Sequence, residues 1–142
     1  MRFAMAKISG GEKFPDIRGK VIFEEKPCSV LVTAHICNLP ETDTGFFGFH
    51  IHEGTDCDGE SFENTKGHYN PHNTTHPRHA GDMPPLIAQK GRACLSFETD
   101  RFKLNEIICK TVVIHDRPDD FKTQPSGDSG EKIACGVIKI LK

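Results

Sequence analysis

Residues 53–85 run without any strand pattern, and a compact fold must find something to hold them in place. A structureless stretch of about 30 residues is uncommon inside a domain unless something orders it. This one is rich in Gly, Pro, Asn, Asp and His, and it carries four residues of metal-ligand type: His68, His76, His79 and Asp82. They continue a series that begins with His50 and His52 in FGFHIHEG and ends with His115 in TVVIHD. Six of the eight histidines in the chain belong to it. Imidazole nitrogen is a common ligand for copper and zinc, and a single carboxylate suits zinc as a fourth ligand. Seven donors exceed what one four-coordinate ion needs. The count points to two neighbouring ions that share one ligand, and a metal ion is what could order the loop.

The rest of the chain reads as short strands separated by turn clusters, the pattern of an all-β domain. RFAMAKIS, RGKVIFEE, SVLVTAHI, GFFGFHIHE, LIAQ, ACLSFET, CKTVVIHD and ACGVIKIL are predicted as eight strands. KLNEIICK is the nearest approach to a helical window, and it is short. Residues 116–131 form a second polar segment. A length of 142 residues suits one domain, 1–142, with one core. The hydrophobic share of 36% and charged share of 27% are those of an ordinary globular protein. The net charge of −2 gives no reason to expect nucleic acid or an anionic membrane as partner. No apolar run approaches the roughly 20 residues that span a bilayer. The start, MRFAMAKISGGEKF, has no long apolar segment before a small-residue cleavage site, so a cytoplasmic location is expected. The alternative is an exported protein whose mature chain has gained Met1. None of the six cysteines forms a CxxC pair, which speaks against a thiolate zinc site. Four lie in or beside apolar runs and read as small hydrophobes. One structural bridge is compatible with the count, its persistence set by the redox compartment.

Side chains alternate faces along a strand, so His50 and His52 point the same way while Phe49 and Ile51 point oppositely. In TVVIHD, His115 shares its face with Val113 and ends its strand beside the polar segment. His76, His79 and Asp82 recur at intervals of three, which gathers them around one turn. His68 is available as their fourth ligand. The group His50, His52 and His115 also lacks a fourth. An imidazole that has lost both protons binds two cations at once, so His68 could serve both groups. His35 and His72 fall outside the series and are read as non-ligands.

The pieces GFHIHEG, GHYNP, HAGDMPPL, TVVIHD and ACGVI, in this order, resemble the copper,zinc superoxide dismutase family. The resemblance covers nearly the whole chain, and the HEGTDC and GDMPPL stretches are more similar to the bacterial branch. It implies an eight-stranded Greek-key β-barrel or sandwich with a long metal-binding loop and a shorter polar active-site loop. It implies copper, cycling between Cu(II) and Cu(I), on His50, His52, His68 and His115. Structural zinc is implied on His68, His76, His79 and Asp82, with His68 the bridge. Asp119 matches the carboxylate that links outer ligands of both metals. Cys57 and Cys135 match the family's disulfide, which leaves Cys28, Cys37, Cys94 and Cys109 as buried or free thiols. The implied activity converts superoxide to O₂ and hydrogen peroxide, with His68 and Lys132 as catalytic residues.

Departures from the family pattern carry expectations of their own. Lys132 stands where the family places an arginine, keeping the charge but losing the planar fork of donors, so a slower enzyme is expected. Both active-site loops are short, with two residues between His76 and His79 and 16 between His115 and Lys132. That leaves copper more exposed and steering weaker. A homodimer is the family's usual assembly, and Phe46, Phe62 and Phe121 are candidates for an interface or for loop packing. The alternative function is a non-catalytic zinc- or copper-binding relative. A copper-delivery domain would need a CxC or CxxC transfer segment, which the sequence lacks.

Overall fold

The computed structural model describes residues 2–142. Nine strands occur among them: β1 (Phe3–Gly10), β2 (Arg18–Glu25), β3 (Val30–Cys37), β4 (Phe46–Phe47), β5 (Phe49–His52), β6 (Leu86–Gln89), β7 (Arg92–Thr99), β8 (Thr111–His115) and β9 (Lys132–Leu141). They pair antiparallel in the order β4-β6-β7-β3-β2-β1-β9-β8-β5. The two end strands, β4 and β5, are separated in sequence only by Gly48. The sheet must therefore curl until its ends meet, forming a nearly closed barrel that leaves little free edge.

The strand expected over GFFGFHIHE is thus divided, giving nine strands where eight are predicted. The cause is local. Gly48 N–H donates to the Arg117 carbonyl (2.9 Å), and the Gly48 carbonyl accepts from His115 N–H (2.8 Å). A Cβ at this position would stand 2.7 Å from Ser129 Oγ. The predicted KLNEIICK window yields a single turn, α1 (Leu104–Ile107), closed by Lys103 N–H donating to Glu106 Oε2 at 2.7 Å.

Alternation builds the core. Ala4, Ala6 and Ile8 of β1 and Val30, Val32, Ala34 and Ile36 of β3 point inward at every second position. Among the described residues, Phe23 of β2, Phe47 of β4 and Phe49 of β5 are the bulkiest fully buried side chains. Cys28, Cys94 and Cys109 are exposed and Cys37 is half-buried, so the reading of these thiols as buried hydrophobes fails while their free state holds. An apolar run on an antiparallel strand places half its members on the solvent face, and Cys94 lies there opposite exposed His35.

β5 and β8 differ from the other strands, being buried at every position. Phe49, Ile51, Val112 and Ile114 join the barrel core, and His50, His52, Val113 and His115 lie on the other face under the polar loops. The loop over 53–85 is bonded to β5 along the edge away from β8. Ile51 N–H donates to Gly81 C=O (2.8 Å), and Tyr69 N–H donates to Ile51 C=O (2.8 Å). Glu53 N–H reaches Gly67 C=O (3.0 Å) and Gly54 N–H reaches Thr65 C=O (2.9 Å). These bonds set His68 beside His52 and Asp82 beside His50 in isolated antiparallel bridges.

Candidate metal centre

All seven expected ligands converge. His50, His52, His68 and His115 each offer a donor nitrogen within 4.8 Å of the others, and nitrogens of His68, His76 and His79 lie equally close to one another and to a carboxylate oxygen of Asp82. His68 belongs to both sets. Its ring centroid lies 4.0 Å from that of His50 and 5.2 Å from that of His79. His35 and His72 are exposed and join neither set.

The hydrogen bonds fix which nitrogen of each ring is free. His52 Nδ1 donates to the Lys66 carbonyl at 2.8 Å, and His115 Nδ1 donates to the Gly130 carbonyl at 3.3 Å. Each ring then keeps its lone pair on Nε2, and these two nitrogens face each other at 3.2 Å. Two lone pairs so close are repulsive unless a cation lies between or beside them. His50 Nε2 and His76 Nε2 donate to Asp119 Oδ2 (2.9 Å) and Oδ1 (2.7 Å). That leaves Nδ1 of both rings as acceptors. His50 Nδ1, His76 Nδ1 and His68 Nε2 are buried with no hydrogen-bond partner, although His76 Nδ1 passes 3.1 Å from Asp82 Oδ2. Orphaned buried nitrogens are costly, and a metal ion accepting their lone pairs resolves the cost. His68 Nδ1 meets Asp82 Oδ1 at 2.7 Å and His79 Nδ1 at 3.2 Å. The residues present therefore fit two cations: a set of four nitrogens suits copper, and three nitrogens with a carboxylate suit zinc.

Electrostatics keep the ligands ready. Burial pushes His50 and His52 well below the ordinary histidine range, and neighbouring histidine charge adds to the effect. Burial likewise brings His115 down to about 4, against the Gly130 hydrogen bond. His79 is lowered by burial too. Burial alone would raise Asp82, but the His68 hydrogen bond and the surrounding histidines hold it below the usual carboxylate range. Metal ligands must be deprotonated, and these groups are.

Asp119, which the family resemblance marks out, lies buried and joins one ring from each set. Its position depends on Gly127, whose φ of +74° favours glycine and where a Cβ would overlap Asp119 Oδ1. Other supports are not singled out by the sequence. The Gln124 side chain clamps the His76 backbone from both sides, accepting from its N–H (2.9 Å) and donating to its carbonyl (2.7 Å). Tyr69 O–H donates to Glu106 Oε1 at 2.9 Å, tying the loop to α1, and Lys110 Nζ sits 4.7 Å from the Tyr69 ring. Glutamine and tyrosine in polar segments have no sequence signature of such roles. The Cys57–Cys135 disulfide is formed, with Cα atoms 5.9 Å apart, and pins the loop to β9. Lys132 lies opposite His115 in the β8–β9 ladder, beside the bulge that skips Ile133. Such bulges re-aim side chains next to functional sites. Burial lowers the Lys132 pKa.

A nearly closed antiparallel barrel carrying two four-donor sites that share one imidazole defines a binuclear metalloprotein. A family model described as copper/zinc superoxide dismutase matches residues 17–138. The superoxide dismutase [Cu-Zn] of Legionella pneumophila is 39% identical over 129 residues, which cover 85% of this chain and 77% of that protein. Superoxide dismutase [Cu-Zn] 1 of Aquifex aeolicus is 37% identical over 144 residues, covering 91% of this chain and 82% of that one. The Deinococcus radiodurans enzyme is 30% identical over 146 residues, covering 88% and 79%. The chain belongs to the copper/zinc superoxide dismutase family.

Proposed function

We propose that this protein is a superoxide dismutase in which His50, His52, His68 and His115 hold copper and His68, His76, His79 and Asp82 hold zinc. The observation that carries the reading is the double membership of His68. Its Nδ1 is turned to Asp82 and His79, while its Nε2 is buried without a partner beside His50. When bound, copper supplies one-electron chemistry between Cu(II) and Cu(I), and redox-inert zinc supplies charge and order. The net change is two superoxide anions and two protons giving O₂ and hydrogen peroxide. The chain's own residues do the rest. Lys66 and Gly130 carbonyls orient His52 and His115, and Asp119 orients His50 and His76. His68 Nε2 is the buried nitrogen placed to take and return a proton. Lys132, beside His115, supplies positive charge for the incoming anion.

Metal content and dismutase activity measured on one sample test this reading. The expected result is one copper and one zinc per chain, with activity that follows copper. Zinc without copper, and no activity after copper loading, would mark a non-catalytic relative. We propose a homodimer as the assembly; the cross-strand pair Phe46–Ile87, exposed at 38% and 51%, supports an apolar contact there. Sedimentation equilibrium tests it. No helix among the described residues is long and apolar enough to cross a membrane. The Cys57–Cys135 bridge weighs towards an oxidising compartment over the cytoplasm.

A further inference from the structure

We infer that Thr65 is a positioning residue for Lys132, its hydroxyl fixing the ammonium that meets the substrate anion. The inference rests on the reading of Lys132 as that cation. Lysine presents a compact charge on a flexible four-carbon stem, without the preorganised fork of arginine. A lysine used to place an anion therefore needs acceptors to fix its head. Lys132 Nζ has two: it donates to Thr65 Oγ1 at 2.8 Å and to the Lys66 carbonyl at 2.9 Å. An ammonium has three N–H donors, so one is left for an anion.

The Thr65 hydroxyl is itself fixed. Its hydrogen goes to the Phe62 carbonyl at 2.8 Å, which turns the oxygen lone pairs to Lys132. Thr65 is fully buried. Its carbonyl accepts from Gly54 N–H at 2.9 Å, and Gly54 packs so closely that a Cβ there would lie 2.6 Å from Thr65 Cα. The Lys66 carbonyl is shared, since it also orients His52. The other end of Lys132 is held by β9, where the Cys57–Cys135 bridge ties the same loop down three residues further on. The hydroxyl thus fixes the head of a side chain whose stem the sheet already fixes.

A double-mutant cycle on the copper- and zinc-loaded protein tests this. Thr65→Val, Thr65→Ser, Lys132→Met and the Val/Met double variant are compared by kcat/KM for superoxide. The affinity for azide, a small monovalent anion read from the visible spectrum of Cu(II), is the second measurement. Thr65→Val is expected to lower both by about tenfold, the scale of one hydrogen bond to a charged group. Thr65→Ser is expected to match the parent, and Thr65→Val is expected to add nothing once Lys132→Met is present. Thr65→Ala, run through the same cycle, guards against a misfit of the valine methyl. Parent-like Thr65→Val beside an impaired Lys132→Met would overturn the inference alone, as would a Thr65→Val loss that persists unchanged in the Lys132→Met background. A parent-like Lys132→Met would overturn the reading of Lys132, and the inference with it.

Discussion

At the scale of single residues, the site is organised by what holds each histidine's second nitrogen. Asp119 is the sharpest case, because one carboxylate accepts from His50 at 2.9 Å and from His76 at 2.7 Å. It fixes a tautomer in one ring of each donor set through hydrogen bonds alone. Losing such an outer partner typically costs about 10- to 100-fold in metal affinity or activity. Asp119→Ala is accordingly expected to bind metal about tenfold or more weakly, with both sites affected because both rings are released. Competition with a chelator measures this. An unchanged affinity at both sites would show that packing alone orients the rings.

At the scale of elements, two polar loops are folded onto β5 and β8 and then locked to each other. The disulfide closes a segment of 78 residues, a constraint worth about 4 kcal/mol on a chain-entropy account. Gln124 and Asp119 carry the 116–131 loop onto His76. Gly127 makes that approach possible at a positive φ. Gly127→Ala is therefore expected to displace Asp119 from His76 and to lower zinc retention more than Asp119→Ala does, because it adds backbone strain. Zinc release on mild heating is the readout, and parent-like retention would contradict the account. The ligand series was legible in the sequence because strand parity and loop spacing are written in residue order. So were the sheet strands with strict alternation, such as β1 and β3. The division at Gly48 was not, since it depends on Ser129 and Arg117 arriving from a distant loop. Nor were Gln124, Tyr69 and the carbonyls of Lys66 and Gly130, which act through contacts and backbone groups that no residue type announces. Cys94 is exposed because an apolar run does not say which face of a sheet a residue takes, and Cys28 and Cys109 are exposed because they lie in turns outside the strands.

For the whole molecule, the barrel gives a rigid wall and the metals complete what the loops begin. Burial holds His50, His52, His79 and His115 below the ordinary histidine range, with His115 down at about 4 against an ordinary 6.5. Between those values the unfolded chain binds more protons than the folded one, so the folded state loses stability as pH falls. The metal-free protein is expected to keep its full melting temperature above about pH 6.5, to lose it progressively towards pH 4, and to lose little further on account of His115 below that. Asp82 adds a second loss only at lower pH, since its folded pKa lies below the usual carboxylate value. Calorimetry of metal-free protein across this range checks the sign; a flat profile from pH 7 to pH 4 would contradict it. Protons and metals compete for the same nitrogens, so metal release is expected in the same window.

The shared imidazole at His68 is the claim on which the rest depends, and anomalous diffraction from crystals of the loaded protein tests it most directly. Data at the copper and zinc edges are expected to show two separate peaks on either side of the His68 ring, copper beside Nε2 and zinc beside Nδ1. A single peak, or two peaks of which only one touches His68, would contradict it.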